Sequence, residues 1–279
     1  MSPATKVQAQ AKLAKYSLKI ADPDRWRDFS ALEVKPDDLA GNVMRSRRFQ
    51  FDDMWGLYGK PVERWRWGMT AQTVNAQYSA TNNEVTFPAG ILQPPFFDVF
   101  ADDAVNYGGI GAVIGHEMTH GFDDSGSQFD ADGNLKNWWT AADKKAYESR
   151  TDLVVQQFDA FKALPDQNVN GKLTLGKNIA DLGGLKIAFA AWQKSLAGKQ
   201  SEPIDGFTGP QRFFLNFAII WRNVIRPEAM RVRLNTDPHS PGQYRTVGPL
   251  SNLPEFFTAF GCNDGDAMKR PENVRPSIW

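Results

Sequence analysis

The sequence predicts a mainly α (α+β) domain carrying a small sheet, and three observations lead there. Apolar residues recur at helical spacing along several stretches, clearest in Leu182, Leu185, Phe189, Trp192 and Leu196. Only one run, Glu84-Val85-Thr86-Phe87, reads clearly as a strand. No internal repeat or low-complexity linker divides the 279 residues, so residues 1–279 are taken as a single domain. With 42% hydrophobic residues, 12% aromatic, the chain can bury enough apolar area to offset its conformational entropy.

In chain order, Val7 to Leu57 is mixed in character, with a short Ala/Lys/Leu stretch and then a Pro/Asp/Trp-rich link. Pro36-Asp37-Asp38 opens a segment with Leu39, Val43 and Met44 at helical spacing; proline and acids suit a helix start through fixed φ and the macrodipole. After Phe87, Pro88, Pro94 and Pro95 limit the chain to an edge or extended segment, one still able to accept a peptide. Val105 to Phe122 reads as a buried helix despite its four glycines, which imply close backbone packing or a helix that begins after Gly111. Three further helices are expected over Thr140 to Leu164, Asn178 to Leu196 and Gln211 to Ile225, the last stopped by Pro227. Asn170-Gly171, between Val169 and Leu173, has the composition of a hairpin turn.

Charge excludes some functions. Lys+Arg and Asp+Glu number 32 each, without the basic excess that favours phosphate neutralisation, so no nucleic acid is expected as partner. Arginines 45, 47, 48, 222, 226, 231 and 233 read as solvated faces and local ion pairs. Cys262 is the single cysteine, which removes intrachain disulfides and cysteine metal clusters. No apolar run of about 18 residues exists, so no membrane span is expected, and the polar start does not read as a signal peptide.

The chemistry concentrates in His116-Glu117-Met118-Thr119-His120. Spacing of four on a helix puts both imidazoles on one face, where two ring nitrogens can hold one Zn²⁺ while Glu117 reaches the open position. There a carboxylate can take a proton from metal-bound water, whose pKa falls to roughly 7. Two surface or core histidines four apart by chance is the bland alternative, yet the pattern uses two of the chain's 3 histidines. A hydrolytic zinc site needs a third protein ligand, often from a later helix, and Leu175 to Gly184 is the best-placed segment, with positions 177 and 181 on one face. Asp130-Ala131-Asp132-Gly133-Asn134 departs from a calcium loop in its glycine and in Ala141 at the twelfth position, and reads as a turn. No G-x-S-x-G supports serine hydrolysis.

At these residues the chain resembles the catalytic half of the neprilysin and endothelin-converting-enzyme family of zinc metallopeptidases, bacterial members especially. The resemblance runs through Asn75-Ala76-Gln77-Tyr78, Glu84 to Phe97, Asn106 to Gly111, Gly121-Phe122-Asp123-Asp124, Asn137-Trp138-Trp139, Asp237 to Gly242 and the terminal Trp279. It implies a thermolysin-like zincin fold whose small sheet lines the cleft, peptide substrates, and an extracytoplasmic location, periplasmic or secreted. His116 and His120 would ligate zinc and Glu117 would be the general base. Asp181 would orient a zinc histidine, His239 would stabilise the oxyanion, and Arg245 would bind a substrate carbonyl or carboxylate. Asn75 and Ala76 would pair with an extended peptide.

Three departures stand out. Lys177 occupies the place of the family's third ligand, a glutamate, within the retained register Asn178-Ile179-Ala180-Asp181. An ammonium has no lone pair for zinc, so metal affinity and activity should fall. Three readings follow: an inactivating replacement, Asp181 as a substitute ligand, or a lineage turned peptide-binding or structural pseudo-peptidase. The family's large preceding helical lobe is also essentially absent, which should open the cleft and expose apolar surface. Finally, Pro276 stands where relatives carry a disulfide partner.

Overall fold

The chain opens with helix α1 (Pro3–Ala14), started by Ser2, whose side chain accepts from the Thr5 N–H, and by proline in the first turn. The computed structural model describes residues 1–278; the sequence match at Trp279 lies outside the described residues. Strand β1 (Ser17–Ala21) follows, then α2 (Leu39–Trp55), begun as expected after the Pro36 segment, with Asp38 accepting from the Gly41 N–H. None of the residues of α2 is buried, and Leu39, Met44, Met54 and Trp55 are exposed.

Strands β2 (Gln77–Ser79) and β3 (Glu84–Pro88) complete a sheet of order β1-β3-β2. The predicted strand is the centre of this sheet, and the chain after Pro88 turns through a short 3-10 helix over Ala89–Ile91 instead of continuing as an edge strand. Pro88 ends β3, where the missing N–H interrupts no interior ladder bond, and every residue of β3 is buried. β1 runs parallel to β3 (Ser17 opposite Glu84) and β2 antiparallel (Tyr78 opposite Val85), which leaves β2 as the edge beside the cleft.

The predicted buried helix is present in three joined pieces: α3 (Asp103–Asn106), a π turn over Tyr107–Gly111, and α4 (Ala112–Thr119). Helicity thus does not wait for Gly111. A Cβ on Gly108 would lie 2.1 Å from the Phe213 carbonyl oxygen, so the glycine admits a neighbouring helix backbone.

Helix α5 (Ala141–Asp159), capped by Thr140, is shorter than expected; residues 162–164 instead form β4 (Lys162–Leu164), paired with β5 (Gln167–Asn168). The hairpin turn accordingly lies at Pro165-Asp166. Asn170-Gly171 caps neighbouring chain instead: Asn170 Oδ1 accepts from the Leu173 N–H and the Gly171 N–H donates to Asp159 Oδ1. Helix α6 (Leu175–Ser195) begins three residues earlier than its apolar stripe suggested.

Helix α7 (Gly209–Ile220) has a capping box between Thr208 and Gln211, and it stops well before Pro227, which instead opens α8 (Pro227–Thr236). Helices α9 (Gly242–Leu250) and α10 (Pro254–Phe260) close the chain. Trp192, Phe213, Phe214 and Phe217 are almost wholly buried, and the Phe189 ring packs on Trp192, Phe213 and Phe214 at centroid distances of 5.2–5.5 Å. This aromatic core fixes α6 against α7. On the opposite side α6 crosses α4 at paired glycines, where a Cβ on Gly115 would lie 2.5 Å from the Gly184 oxygen.

No described helix is long and apolar enough to cross a membrane. Asp130 to Asn134 is the expected turn, with Asp130 Oδ1 accepting from the Asp132 and Asn134 N–H groups. Local ion pairs also form as expected, including Arg45–Asp38, Arg48–Asp52, Arg231–Asp166 and Arg233–Asp237.

Candidate metal centre and cleft

Crossing at glycine brings α4 and α6 close enough for their polar side chains to meet inside the protein. His116 and Glu117 on α4 and His120, its C-cap, are buried and line a cavity of about 590 Å³. Lys177, His239, Arg245, Asn75 and Ala76 line the same cavity; Asp181 lies behind it, bonded to His116. All the residues singled out in the sequence thus converge, from β2's approach, α4, α6, α9 and the loop before α9.

Each α4 imidazole is held from behind by a carboxylate. His116 Nδ1 lies 2.6 Å from Asp181 Oδ1, and His120 Nδ1 lies 2.5 Å from Asp123 Oδ2. Ionised carboxylates only accept, so Nδ1 carries the proton in both rings and the two Nε2 lone pairs face one another, 2.9 Å apart. Two nitrogens bound tetrahedrally at about 2.0–2.1 Å from zinc sit roughly 3.3 Å apart, so the pair suits one ion. His116, Glu117 and His120 are also the described group of His/Cys/Asp/Glu side chains close enough together to share a metal.

Asp181 is fully engaged. Its Oδ1 also accepts from Arg245 Nη2 at 2.7 Å, and its Oδ2 from Arg245 Nε at 2.8 Å. Burial works to raise its pKa, but the guanidinium and His116 outweigh it and hold the carboxyl well below the usual range. To serve as a substitute metal ligand, Asp181 would have to give up three hydrogen bonds. Arg245 in turn lies 3.5 Å over the Trp221 ring, leaving Nη1 as the nitrogen not engaged by Asp181.

Lys177 Nζ sits 2.8 Å from His120 Nε2, so Lys177 is no surface lysine: it projects to the metal side of the imidazole and donates into the lone pair a metal needs. The two histidines fit a zinc ion, but the α6 side chain that meets His120 Nε2 is a donor without a lone pair and does not fit one.

Burial raises the Glu117 pKa, and its Oε2 has no hydrogen-bond partner, so a buried acceptor points at the cavity unsatisfied. Burial also pushes His116 well below the usual imidazole range and, with Arg245, lowers His239. The His239 ring is anchored by Nδ1 to Asp237 Oδ1 at 2.7 Å, which turns Nε2 outward as the free position. Asn75 Oδ1 accepts from the Ala76 N–H at 2.9 Å, so this amide is satisfied within the strand's approach.

Sequence reasoning did not assign Asp123, Asp237 or Trp221. Asp123 stands three residues after His120 and had a usable signal, since a metal histidine needs an acceptor for its other nitrogen. Trp221, which meets Arg245 only through the fold, had none.

The chain matches the description "Peptidase family M13" over residues 75–275. The chain belongs to peptidase family M13. Its similarity to endothelin-converting enzyme 1 of Homo sapiens is 42% identity over 281 residues, 98% of this chain and 36% of that protein. An endothelin-converting enzyme homolog of Locusta migratoria is 42% identical over 245 residues, 87% of this chain and 34% of that protein. The chain therefore spans about a third of the length of these M13 relatives. Among solved structures, the Mycobacterium tuberculosis zinc metalloprotease Zmp1 in complex with inhibitor superposes with TM-score 0.97 at 46% identity, covering 100% of this chain and 43% of that one. PepO from Lactobacillus rhamnosis superposes at 0.90 with 37% identity, covering 100% and 43% respectively. The expected mainly helical zincin fold is thus the M13 fold.

Proposed function

We propose that residues 1–279 form the catalytic unit of an M13 zinc endopeptidase whose hydrolysis is silenced, or nearly so, by Lys177. The observation that carries this is the Lys177 Nζ contact with His120 Nε2, 2.8 Å long, inside an otherwise intact site. With a glutamate at 177 the donor set would hold one Zn²⁺, which supplies Lewis acidity toward a bound oxygen. Glu117, its pKa raised by burial, suits a base that takes a proton from water and returns it to the leaving amine. In its doubly protonated form, held by Asp237, His239 would donate from Nε2 to the developing oxyanion, and Arg245 Nη1 would donate to a substrate carbonyl. An extended peptide would lie along β2 past Asn75 and Ala76. Family membership supports peptides as the substrates and an extracytoplasmic location.

The same contact favours a second reading, a pseudo-peptidase that binds peptides without cutting them. Assaying the chain and its Lys177→Glu variant side by side on an internally quenched peptide, with zinc and then chelator, separates the readings. Cleavage by the variant alone, abolished by chelator, is the expected result. Comparable cleavage by both chains refutes the role given to Lys177. Neither cleaving, with both folded and peptide still bound, transfers support to the pseudo-peptidase.

A further inference from the structure

The loop that leaves α4 has two faces, and only the inner one belongs to the site above. On that side the Ser125 and Gly126 N–H groups donate to Asp123 Oδ1 at 2.9 and 2.6 Å, which aims Oδ2 at His120. On the other side lies Lys12 of α1, only 1% exposed. Its Nζ donates to the carbonyl oxygens of Gly121, Gly126 and Phe129 at 2.7, 2.6 and 2.8 Å, so all three ammonium hydrogens find acceptors. The rings of Tyr78, Phe122 and Trp138 surround it with centroids 5.7–6.0 Å away. Among the described residues no carboxylate lies within ion-pair distance of it, so backbone dipoles and aromatic faces solvate the charge, with Asp123 and Asp130 attracting it from further away. Burial lowers its pKa to about 8, which leaves it protonated at neutral pH.

Two of these carbonyls have second partners: Gly126 O accepts from the Phe129 N–H and Phe129 O from Trp138 Nε1. The ammonium is the common donor that ties all three to one point. Residue 126 links the two faces, its carbonyl held by Lys12 and its N–H by Asp123. Lys12 reaches the cleft edge as well, because its own carbonyl accepts from Asn83 Nδ2, and Asn83 Oδ1 accepts from the Tyr78 hydroxyl on β2.

We infer that Lys12 is a positioning residue for His120: its ammonium fixes the loop from Gly121 to Phe129 and, through Asp123, sets the orientation and tautomer of that imidazole. The M13 family match begins at residue 75, whereas the similarity to Zmp1 runs over the whole chain, and this role ties α1 to the proposed metal site. The inference rests on the proposed function only in treating His120 as a metal ligand.

The test uses the full chain labelled with ¹⁵N and reads the Nδ1–H resonances of His116 and His120 by NMR. His116 is the internal control, because Asp181 on α6 holds it and not the Lys12 loop. In Lys12→Met the His120 resonance should shift or vanish while that of His116 stays. Lys12→Cys, alkylated in denaturant with 2-bromoethylamine and refolded, regains an ammonium of lysine length and should restore it; Cys262 is alkylated equally in the parent. If Lys12→Met does not fold, Lys12→Gln is read the same way. An unmoved His120 resonance, equal shifts at both histidines, or a refolded aminoethylated chain without the His120 signal each overturns the inference. Neither metal nor cleavage enters this readout, so an inactive Lys177→Glu chain leaves it standing.

Discussion

Gly184→Ala tests whether the glycine crossing of α4 and α6 sets the site. A Cβ there would lie 2.3 Å from the His116 nitrogen and 2.7 Å from both Gly115 C and His116 Cα, whereas ordinary contact begins at 3.4 Å. These neighbours are main chain and cannot rotate aside, so the helices must part by about 1 Å. Overpacking of this kind costs roughly 1–3 kcal/mol, against about 1 kcal/mol gained from alanine's helix propensity. Main-chain contact on all sides puts the cost at the upper end, so a net loss of about 2 kcal/mol is expected, or roughly 4–8 °C in Tm for a chain of this size. Asp181 lies one turn from Gly184, so its 2.6 Å bond to His116 should loosen too. In the Lys177→Glu background, zinc affinity should then fall about 10–100-fold, the usual cost of disturbing a group that orients a metal histidine. Gly111→Ala is the control, since its Cβ would meet only ordinary contacts from 3.4 Å upward. Calorimetry and a competitive zinc titration read both effects. An unchanged or raised Tm together with undiminished zinc affinity would falsify the claim that glycine spacing positions the site.

Asp181→Asn should lower stability by about 3–5 kcal/mol, because it leaves the buried Arg245 guanidinium without its anion; urea titration at pH 7 measures it. Its pH dependence has a definite sign. The folded-state pKa of Asp181 is depressed, so its stabilisation is complete above the unfolded value of about 3.9 and is lost as pH falls below it. Urea midpoints taken from pH 5 to pH 2.5 should fall less steeply in Asp181→Asn than in the parent, and parallel curves would remove Asp181 from the acid response. Trp192→Ala, at a side chain 1% exposed between α6 and α7, should cost about 3–5 kcal/mol by calorimetry. A loss below roughly 1 kcal/mol would mean that the aromatic core does not hold α6.

Legibility in the sequence followed the direction in which apolar residues point. Leu182, Leu185 and Trp192 face inward on α6, so their spacing read correctly as a helix. Strand β1 was missed because its alternation is inverted: Leu18 and Ile20 are 65% and 57% exposed, while Ser17, Lys19 and Ala21 turn partly inward. Helix α2 was found from the proline and acids at its start and from Leu39, Val43 and Met44 at helical spacing, although it buries none of its residues. Strand β4 was hidden at the end of a predicted helix and β5 lay just beyond it, because three- and two-residue strands carry too little pattern to be read. In the site, the metal-facing groups were legible because α4 places them by local spacing. Lys12 was not, because it bonds backbone carbonyls 109 to 117 residues away, and a carbonyl leaves no mark in the amino-acid sequence.

The contrast between the two lysines shows what decides whether a cation belongs at such a place. Lys12 is surrounded by three carbonyl acceptors and three aromatic faces, a setting built around a positive charge. Lys177 has one acceptor, His120 Nε2, in a cavity whose other α4 groups are a neutral-favouring imidazole and a carboxyl that burial drives toward its protonated form. Around Lys177, then, the surroundings are still those of a metal site: imidazoles braced from behind by carboxylates, lone pairs turned inward, and an unpartnered Glu117 oxygen. Such bracing serves a metal and does nothing for an ammonium, since Asp181 and Asp123 spend their charge on the far side of the rings. A site reshaped for Lys177 would instead place an acceptor beside Nζ. The retention of the metal-oriented scaffold is the physical reason to expect that a single carboxylate at 177 restores zinc binding without further change.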